Sequence, residues 1–286
     1  MVQEADFFEI MSLTQTKPLA KICLKRDFLQ SHSKQKLLKL LQHPTIMRIK
    51  KTTTKKRTKQ NVETVVVMSA HSDDYVLGVG GTIAKYVQEG KKVYAVVFCT
   101  GEMSHPWMKE RIIKKLRWEE ALQASKILGC STLALNLKET KVEEMFKKNK
   151  EEHKLIQFLK YKKPTKIITH SPEDYHPDHK AVYRITKQMV DKLNRQNNPK
   201  QKAIKTENIK PEVYIYSIWN PVSIYTSYPS LYVDISKHIT TKLKALKAFR
   251  SQQLHISYPI FLLSFHNLFD GLKIRAKAAE KFFRVQ

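Results

Sequence analysis

Short apolar runs rich in β-branched residues alternate with helical patterns along most of the chain. The first run, Thr64–Ala70, is apolar on both faces, which is typical of a parallel strand covered by helices. The further predicted strands are Val93–Cys99, Thr132–Leu137, Lys166–His170, Glu212–Trp219 and Leu231–Asp234. The predicted helices are Ile83–Gln88, Lys109–Leu128, Glu151–Tyr161, Lys180–Leu193 and Ile239–Ser251. This order predicts a three-layer, Rossmann-like α/β fold, with a mostly parallel sheet covered by helices on both faces.

Residues 1–60 have a different pattern and are predicted to form a basic N-terminal extension to a domain of residues 61–286. Leucines at helical spacing in Lys34–Gln42 predict a short amphipathic helix, and Lys50–Lys59 reads as a solvated Lys/Thr linker. This segment could contact an anionic membrane, although packing on the domain is the simpler alternative. Near the other end, the Phe- and Leu-rich stretch Gln252–Leu272 is predicted to close one side of a pocket or to form a subunit contact.

A first polar motif, Ala70–Tyr75, follows the first predicted strand, where sites form in open α/β sheets. Adjacent aspartates diverge and rarely hold one ion together, so we expect His71 and Asp74 to bind a metal and Asp73 to act as a base. Taken alone, the motif is more simply explained as a solvated turn. Three glycines follow at positions 78, 80 and 81, and their spacing does not fit a dinucleotide fingerprint. Gly80 and Gly81 are expected to allow close backbone approach around the metal loop.

A second motif, Asp174–His179, follows the predicted strand Lys166–His170. Pro177 suits the first turn of a helix, and His176 and His179 would share one face of that turn. Asp178 could orient a neighbouring imidazole. The alternative is a polar helix N-terminus with surface histidines. Together, the two motifs bring metal ligands and spare acid and base groups to strand ends, which is the chemistry of a metal-assisted hydrolase.

The two motifs closely resemble those of the PIG-L/LmbE-like zinc-dependent de-N-acetylases, which are usually Ala/Pro-His-Pro-Asp-Asp-Glu and His-Pro-Asp-His. The resemblance runs from about Val62 to about Gln253. Three weaker patches support it, namely Thr100–Glu102, the Arg117-x-x-Glu120 helix that ends at Gly129, and Lys242–Gln252. The chain departs from the family pattern at Ser72 in place of proline, at Tyr75 in place of glutamate, and by one missing residue between Thr100 and Gly101.

The resemblance implies an LmbE-type fold and an enzyme that removes the acetyl group from the nitrogen of an N-acetylated amino sugar or its conjugate. It also implies one Zn²⁺ per chain. The implied ligands are His71, Asp74 and His179. The implied catalytic residues are Asp73 as general base, His176 for the oxyanion and the leaving amine, and Asp178 to orient His176. The loss of the glutamate at Tyr75 removes a group thought to support the metal site.

Three residues are candidates for contact with the substrate. Arg117 corresponds to an arginine that the family uses for sugar hydroxyls or an anionic group. Tyr175 lies within the second motif. Trp107 lies in a loop, His105–Trp107, that could act as a lid, and its indole could stack on a sugar or simply pack against the protein.

The formal net charge of +26 suggests a second class of function. A catalytically altered LmbE-fold protein could bind nucleic acid or a membrane through its basic surface. The lysines are spread over helix faces and loops, and no base-stacking motif is evident, so nucleic-acid binding is not expected. The three scattered cysteines and the lack of a signal-peptide pattern predict a cytoplasmic protein with reduced thiols. Peripheral membrane contact and homo-oligomer formation stay open.

Overall fold

The computed structural model describes residues 62–104, 108–196, 210–220 and 228–286. The chain divides into two units, Met1–Thr58 and Lys59–Gln286, and all described residues belong to the second. The predicted leucine helix and Lys/Thr linker of the N-terminal extension lie outside the described residues, and so do His105, Pro106 and Trp107 of the predicted lid.

Helices and strands alternate through most of the described part. The strands are β1 (Thr64–Ser69), β2 (Lys92–Cys99), β3 (Ser131–Leu137), β4 (Lys166–His170), β5 (Glu212–Tyr216), β6 (Ser230–Asp234) and β7 (Ala279–Arg284). The α-helices are α1 (Asp74–Gln88), α2 (Glu110–Leu128), α3 (Val142–Lys148), α4 (Glu151–Lys162), α5 (Pro177–Gln196), α6 (Ile239–Leu246) and α7 (Gln253–Lys273). Short 3₁₀ turns cover Glu102–Ser104 and Arg250–Gln252.

The seven strands of the described part form one sheet in the order β3-β2-β1-β4-β5-β7-β6. The first five strands pair in parallel, whereas β7 runs antiparallel between β5 and β6. Alternate residues of β1 enter two separate cores, with Val65 packing beneath α1, α2, α6 and α7 and Val66 beneath α3, α4 and α5. The prediction of a mostly parallel sheet with helices on both faces is therefore confirmed.

Helix α1 differs from its prediction, because it begins at Asp74 rather than Ile83 and includes all three glycines. A Cβ atom on Gly78 would lie 2.2 Å from the ring of Tyr216, and one on Gly81 would lie 2.7 Å from Ile235. The glycines thus let α1 pack closely on neighbouring elements. The close approach predicted for Gly80 and Gly81 is to Lys242 and Ile235, not around a metal loop. This packing outweighs the low helix propensity of glycine.

Three further elements were not predicted as such, namely α3, α7 and β7. The prediction for Gln252–Leu272 gave it a role but no secondary structure, and it forms most of the long helix α7. None of the described helices is long and apolar enough to cross a membrane.

The order of the strands brings the two motifs together. Strand β1 lies between β2 and β4. The strands β2 and β3 are added on one side of β1, whereas β4 and β5 are added on the other side. Ligands bind at such a switch point, outside the carboxyl ends of the strands. The first motif follows β1 and opens α1, while the second follows β4 and opens α5.

Candidate active site

A cavity of about 540 Å³ opens at the carboxyl ends of β1 and β4. Its polar wall consists of His71, Asp73, Asp74, Arg117, Glu139, Thr140, His176, Asp178 and Gln252. Its apolar wall consists of Leu77, Met103, Ile218, Trp219, Ile256 and Pro259. Side chains from both motifs therefore face one space.

The carboxylate of Asp74 lies at the centre of a group of imidazoles. Its Oδ2 atom is 3.3 Å from His71 Nδ1, 3.3 Å from His179 Nε2 and 3.4 Å from His170 Nε2. His71, His176 and His179 form a second, overlapping group, with ligand atoms within 4.8 Å of one another. The structure thus brings His71, Asp74 and His179 together.

The charges in this group perturb one another strongly. Burial alone would lower the pKa of His179, but the carboxylates of Asp74 and Asp174 raise it to about 9. Burial likewise opposes a charged His71, yet Asp74 and Asp178 raise its pKa well above the usual value. In return, His179 and His71 outweigh burial and lower the pKa of Asp74.

The donor set fits a divalent metal such as zinc, which favours imidazole nitrogen and carboxylate oxygen. The Nε2 atom of His179 is buried and makes no hydrogen bond within the described part. Its 3.3 Å contact with Asp74 Oδ2 lacks hydrogen-bond geometry, and a buried imidazole nitrogen without a hydrogen bond is costly unless something binds it. A metal in contact with this atom and with Asp74 would remove that cost.

His170 is a central residue that the sequence did not single out. Its ring stacks on that of His179 at 3.9 Å between centroids. Its Nε2 atom accepts a hydrogen bond from the Ala70 amide at 2.9 Å and lies 3.1 Å from the Tyr216 hydroxyl. Burial, together with the nearby His179, lowers the pKa of His170 to about 4, so its ring is neutral. The only signal in the sequence was a histidine that closes a predicted strand.

Asp174 contacts the ring nitrogen of His179 that does not face Asp74. Its Oδ2 atom lies 3.1 Å from His179 Nδ1 and accepts a hydrogen bond from the Ile218 amide. Burial would raise the pKa of Asp174, but the contact with His179 lowers it. A carboxylate in this position fixes the tautomer and orientation of the imidazole.

The sequence analysis expected the carboxylate of Asp178 to orient His176. In the structure this carboxylate contacts other groups. Its Oδ2 atom lies 3.4 Å from His71 Nε2, and both carboxylate oxygens accept from the Thr140 amide at 3.0 Å. The backbone amide of Asp178 instead donates to His176 Nδ1 at 3.2 Å. The turn at Pro177 directs the carboxylate towards the loop after β3, whose position the sequence did not reveal.

Asp73 stands apart from the imidazoles and faces α2. Arg117 Nη2 donates to its Oδ2 atom at 3.2 Å, and Arg117 Nη1 donates to the Gly101 carbonyl at 3.0 Å. Gly101 has φ +84°, and a Cβ there would lie 1.7 Å from Arg117 Nη1. Only glycine suits both this backbone conformation and this close contact.

Two glutamates that meet beside the cavity add negative charge. Glu139 lines the cavity, with its Oε1 atom 3.9 Å from His71 Nε2. Glu102 accepts from the Glu139 amide at 3.1 Å, and Glu139 accepts from the Met103 amide at 2.9 Å. Burial raises the pKa of Glu139. Sequence reasoning noted Glu102 but missed Glu139, which lies in a loop without a motif.

The family model of the GlcNAc-PI de-N-acetylases (PIG-L) matches residues 66–190, a range that contains both motifs and all the imidazoles described above. The resemblance to the PIG-L family is therefore confirmed for residues 66–190.

Individual proteins match over parts of the chain. An uncharacterized deacetylase of Escherichia coli, YaiS, is 31% identical over 128 residues, which are 43% of this chain and only 65% of that relative. A diacetylchitobiose deacetylase of Thermococcus kodakarensis is 25% identical over 198 residues, covering 67% of this chain and 71% of the relative. Among solved structures, 4-carboxy-2-hydroxymuconate hydratase of Pseudomonas putida KT2440 superposes with a TM-score of 0.66 at 21% identity, covering 79% of this chain and 97% of that one. That likeness shows a shared fold.

The three weaker PIG-L patches of the sequence have clear structural roles. Arg117 donates hydrogen bonds to the Gly101 carbonyl and to Asp73, as described above. Glu120 accepts hydrogen bonds from the Ser251 amide at 2.8 Å and hydroxyl at 2.7 Å, which fixes α2 to the turn before α7. Lys242 is buried and donates to Glu280 at 2.7 Å, which ties α6 to β7. These patches therefore support the cavity wall rather than supply its metal donors.

Tyr75, which replaces the PIG-L glutamate, is directed away from the cavity. Its side chain is fully buried, and its hydroxyl donates to the Ala121 carbonyl at 2.9 Å and lies 2.8 Å from Ser125 Oγ. It belongs to the core between α1 and α2. Ser72, at the position of the PIG-L proline, is also buried.

The three residues predicted to contact the substrate lie in different surroundings. Arg117 lines the cavity, but its side chain is buried and paired with Asp73. Tyr175 is 72% exposed and is not among the cavity-lining residues of the described part. Trp107 lies outside the described residues. Trp219 lines the cavity instead, at the end of the segment after β5, and the sequence analysis had assigned it only to a strand.

Proposed function

We propose that this protein is a Zn²⁺-dependent N-deacetylase that acts on an N-acetylated amino sugar or its conjugate. One observation carries the proposal. The cluster around Asp74 and the separate, arginine-paired carboxylate of Asp73 face the same cavity, within the residues that match the PIG-L family model. A hydrolase needs these two functions, a metal site and a base, side by side.

We assign the metal, one per chain, to His71, Asp74 and His179. The alternative group replaces His71 with His170. However, the single lone pair of His170 Nε2 already accepts a hydrogen bond from the Ala70 amide, which disfavours it as a ligand. When bound, zinc would supply a Lewis acid for the amide carbonyl and would lower the pKa of a water molecule.

Asp73 is the proposed general base. Its carboxylate lines the same cavity as His71 and Asp74, and its ion pair with Arg117 holds it in position to accept a proton from the attacking water. Arg117 is buried and bonded twice, so it holds Asp73 in position and presents little surface to a substrate.

His176 is the proposed partner of the oxyanion and the leaving amine. Burial, together with His71 and His179, lowers its pKa to about 4, so the ring is neutral near pH 7. Because its Nδ1 atom accepts from the Asp178 amide, the ring proton is on Nε2. This tautomer can donate from Nε2 to a developing oxyanion and pass the proton to the departing nitrogen.

The apolar wall suits the face of a sugar ring. Trp219 is partly exposed and lines the cavity together with Ile218 and Ile256. An aromatic ring can stack on the apolar face of a sugar while carboxylates accept from its hydroxyls. We propose Trp219 for this contact. The diacetylchitobiose deacetylase of Thermococcus supports an amino-sugar substrate, since it acts on such a compound.

The experiment is an acetate-release assay with zinc-loaded protein. The panel contains N-acetylglucosamine, N,N′-diacetylchitobiose, an N-acetylglucosaminyl inositol phospholipid and a nucleotide-linked N-acetylglucosamine. Acetate release from at least one compound, abolished in Asp73→Asn, is the expected result. Because the Pseudomonas structural relative is a hydratase, the same preparations are also tested for hydration of its substrate. Hydration without any acetate release would overturn the deacetylase proposal.

The alternative function rests on the positively charged surface. In that alternative, the protein has lost or changed its catalytic activity and binds an anionic partner. We keep the enzyme as the main proposal, because the buried histidine and carboxylate groups have no use in such a binding protein. We place the reaction in the cytoplasm, in keeping with the free thiols of Cys99 and Cys130. Tight binding to nucleic acid at physiological salt, with no acetate release, would favour the alternative.

A further inference from the structure

Helix α7 carries a continuous apolar stripe on its outer face. The stripe consists of Tyr258, Phe261, Phe265, Leu268, Phe269 and Leu272. All six side chains are at least half exposed, and Phe261 and Leu272 reach 73% and 74%. At 3.6 residues per turn they fall within an arc of about 100° and extend over about 21 Å. An exposed apolar face of this size marks a contact surface.

The inner face of the same helix is fully used by the fold. Ile256, Leu263 and Asn267 are buried, and Asn267 bonds to Lys242 and to the Ala279 carbonyl. Helix α7 therefore cannot rotate about its axis to bury the stripe, because rotation would expose these buried side chains and break their hydrogen bonds.

Basic residues surround the C-terminal end of the stripe. Lys273 Nζ lies 4.6 Å from the centre of the Phe269 ring, and both Lys273 and Lys281 approach the Tyr232 ring, at 5.8 and 5.6 Å. Arg275 and Lys277 are exposed just after the helix ends. The nearest acidic residue in the helix, Asp270, is buried and paired with Lys273. The stripe itself contains no charged residue.

We propose that the stripe docks on an anionic lipid bilayer, with α7 lying in the plane of the interface. Aromatic and leucine side chains beside lysines and arginines are the composition of interfacial helices, which combine apolar burial with attraction to anionic lipids. The net charge of +26 favours this occupant over a second copy of the chain, because self-association would bring the flanking lysines of two copies together.

The test measures flotation of the full-length protein with vesicles of phosphatidylcholine, alone or mixed with phosphatidylglycerol. The variant Phe261→Ser/Phe265→Ser removes two rings without changing charge. The matched control, Tyr161→Ser/Leu243→Ser, removes exposed apolar side chains on other helices. We expect wild type and control to bind the mixed vesicles equally. The Phe261→Ser/Phe265→Ser variant should bind at least about tenfold more weakly, since each buried ring contributes roughly a factor of ten or more.

A second readout identifies the surface that touches lipid. A tryptophan introduced as Phe265→Trp should add fluorescence that brominated lipid chains quench, whereas Tyr161→Trp should add fluorescence that they do not. Binding that survives in the Phe261→Ser/Phe265→Ser variant but disappears at about 1 M salt would mean that charge alone holds the protein, and would overturn the proposal. Absence of vesicle binding would overturn it as well. So would a dimer, detected by light scattering, that Phe261→Ser/Phe265→Ser converts to a monomer. None of these measurements depends on deacetylase activity.

Discussion

Arg117 and Asp73 form a buried ion pair across the wall of the cavity, with 3.2 Å between Nη2 and Oδ2. Arg117 is the eighth residue of α2 and Asp73 immediately precedes α1, so the pair joins two helices. The same guanidinium bonds to the Gly101 carbonyl after β2. The proposed base is thus positioned by residues from two elements outside its own motif.

The first prediction concerns Arg117. Arg117→Ala should leave Asp73 buried without its partner, and turnover should fall by about 10²-fold or more while zinc stays bound. Arg111→Ala, an exposed arginine on the same helix, is the control and should be unaffected. Steady-state kinetics with metal analysis provides the measurement. A rise in KM with unchanged kcat would instead mean that Arg117 binds substrate.

The two adjacent aspartates should separate base from ligand. Asp73→Asn should keep the metal and lose about 10²–10⁴-fold in turnover, because the proton acceptor is gone while the donors are intact. Asp74→Asn should lose metal and activity together, since Asp74 contacts three imidazoles. Bound zinc and kcat are measured on the same preparations. Metal loss in Asp73→Asn alone would reverse the two assignments.

His170 offers a test of the ligand set. His170→Gln can still accept from the Ala70 amide, so one zinc per chain should remain bound if His71 is the ligand. His170→Leu leaves that buried amide unpaired and should destabilise the protein by about 1–3 kcal/mol in urea unfolding. Loss of zinc from a folded His170→Gln variant would favour the alternative group of Asp74, His170 and His179.

Zinc affinity should rise with pH. In the metal-free protein the pKa of His179 is raised to about 9, so near pH 7 this ring must lose a proton before it can bind metal. The apparent affinity should increase about tenfold per pH unit for each proton released, up to about pH 9, and level off above it. Competition with a zinc indicator between pH 6.5 and 9.5 measures this. A flat profile would show that neither His179 nor His71 is protonated in the free protein.

Two glycines with positive φ provide a matched pair. Gly90→Ala, with φ +82° and nothing within 4 Å of the new Cβ, should only cost backbone strain of about 1 kcal/mol. Gly101→Ala has the same strain and also displaces Arg117. It should therefore be less stable by a further ~1–3 kcal/mol and lose turnover. Thermal unfolding and the acetate assay distinguish them. Equal activity in both variants would argue against a role for the Arg117 contact.

The sequence by itself determined the parts that depend on local pattern. Apolar β-branched runs such as Thr64–Ala70 can only be buried on both faces, which dictated a helix-covered parallel sheet. The two motifs identified His71, Asp73, Asp74, His176 and His179, because metal-binding side chains and their spacing are visible in the chain itself.

Only the tertiary structure decided which side chains support these residues. His170 and Glu139 come from a strand end and a loop without a motif, and the strand order brings them next to Asp74 and His71. Asp178 turns to His71 because the Thr140 amide is there to bind it. The sequence predicted that Gln252–Leu272 closes a pocket or forms a subunit contact, but it did not show which side chains of α7 are exposed, since apolar periodicity does not reveal which face other elements cover. Contacts between residues far apart in the chain depend on packing, and a local pattern carries no information about them.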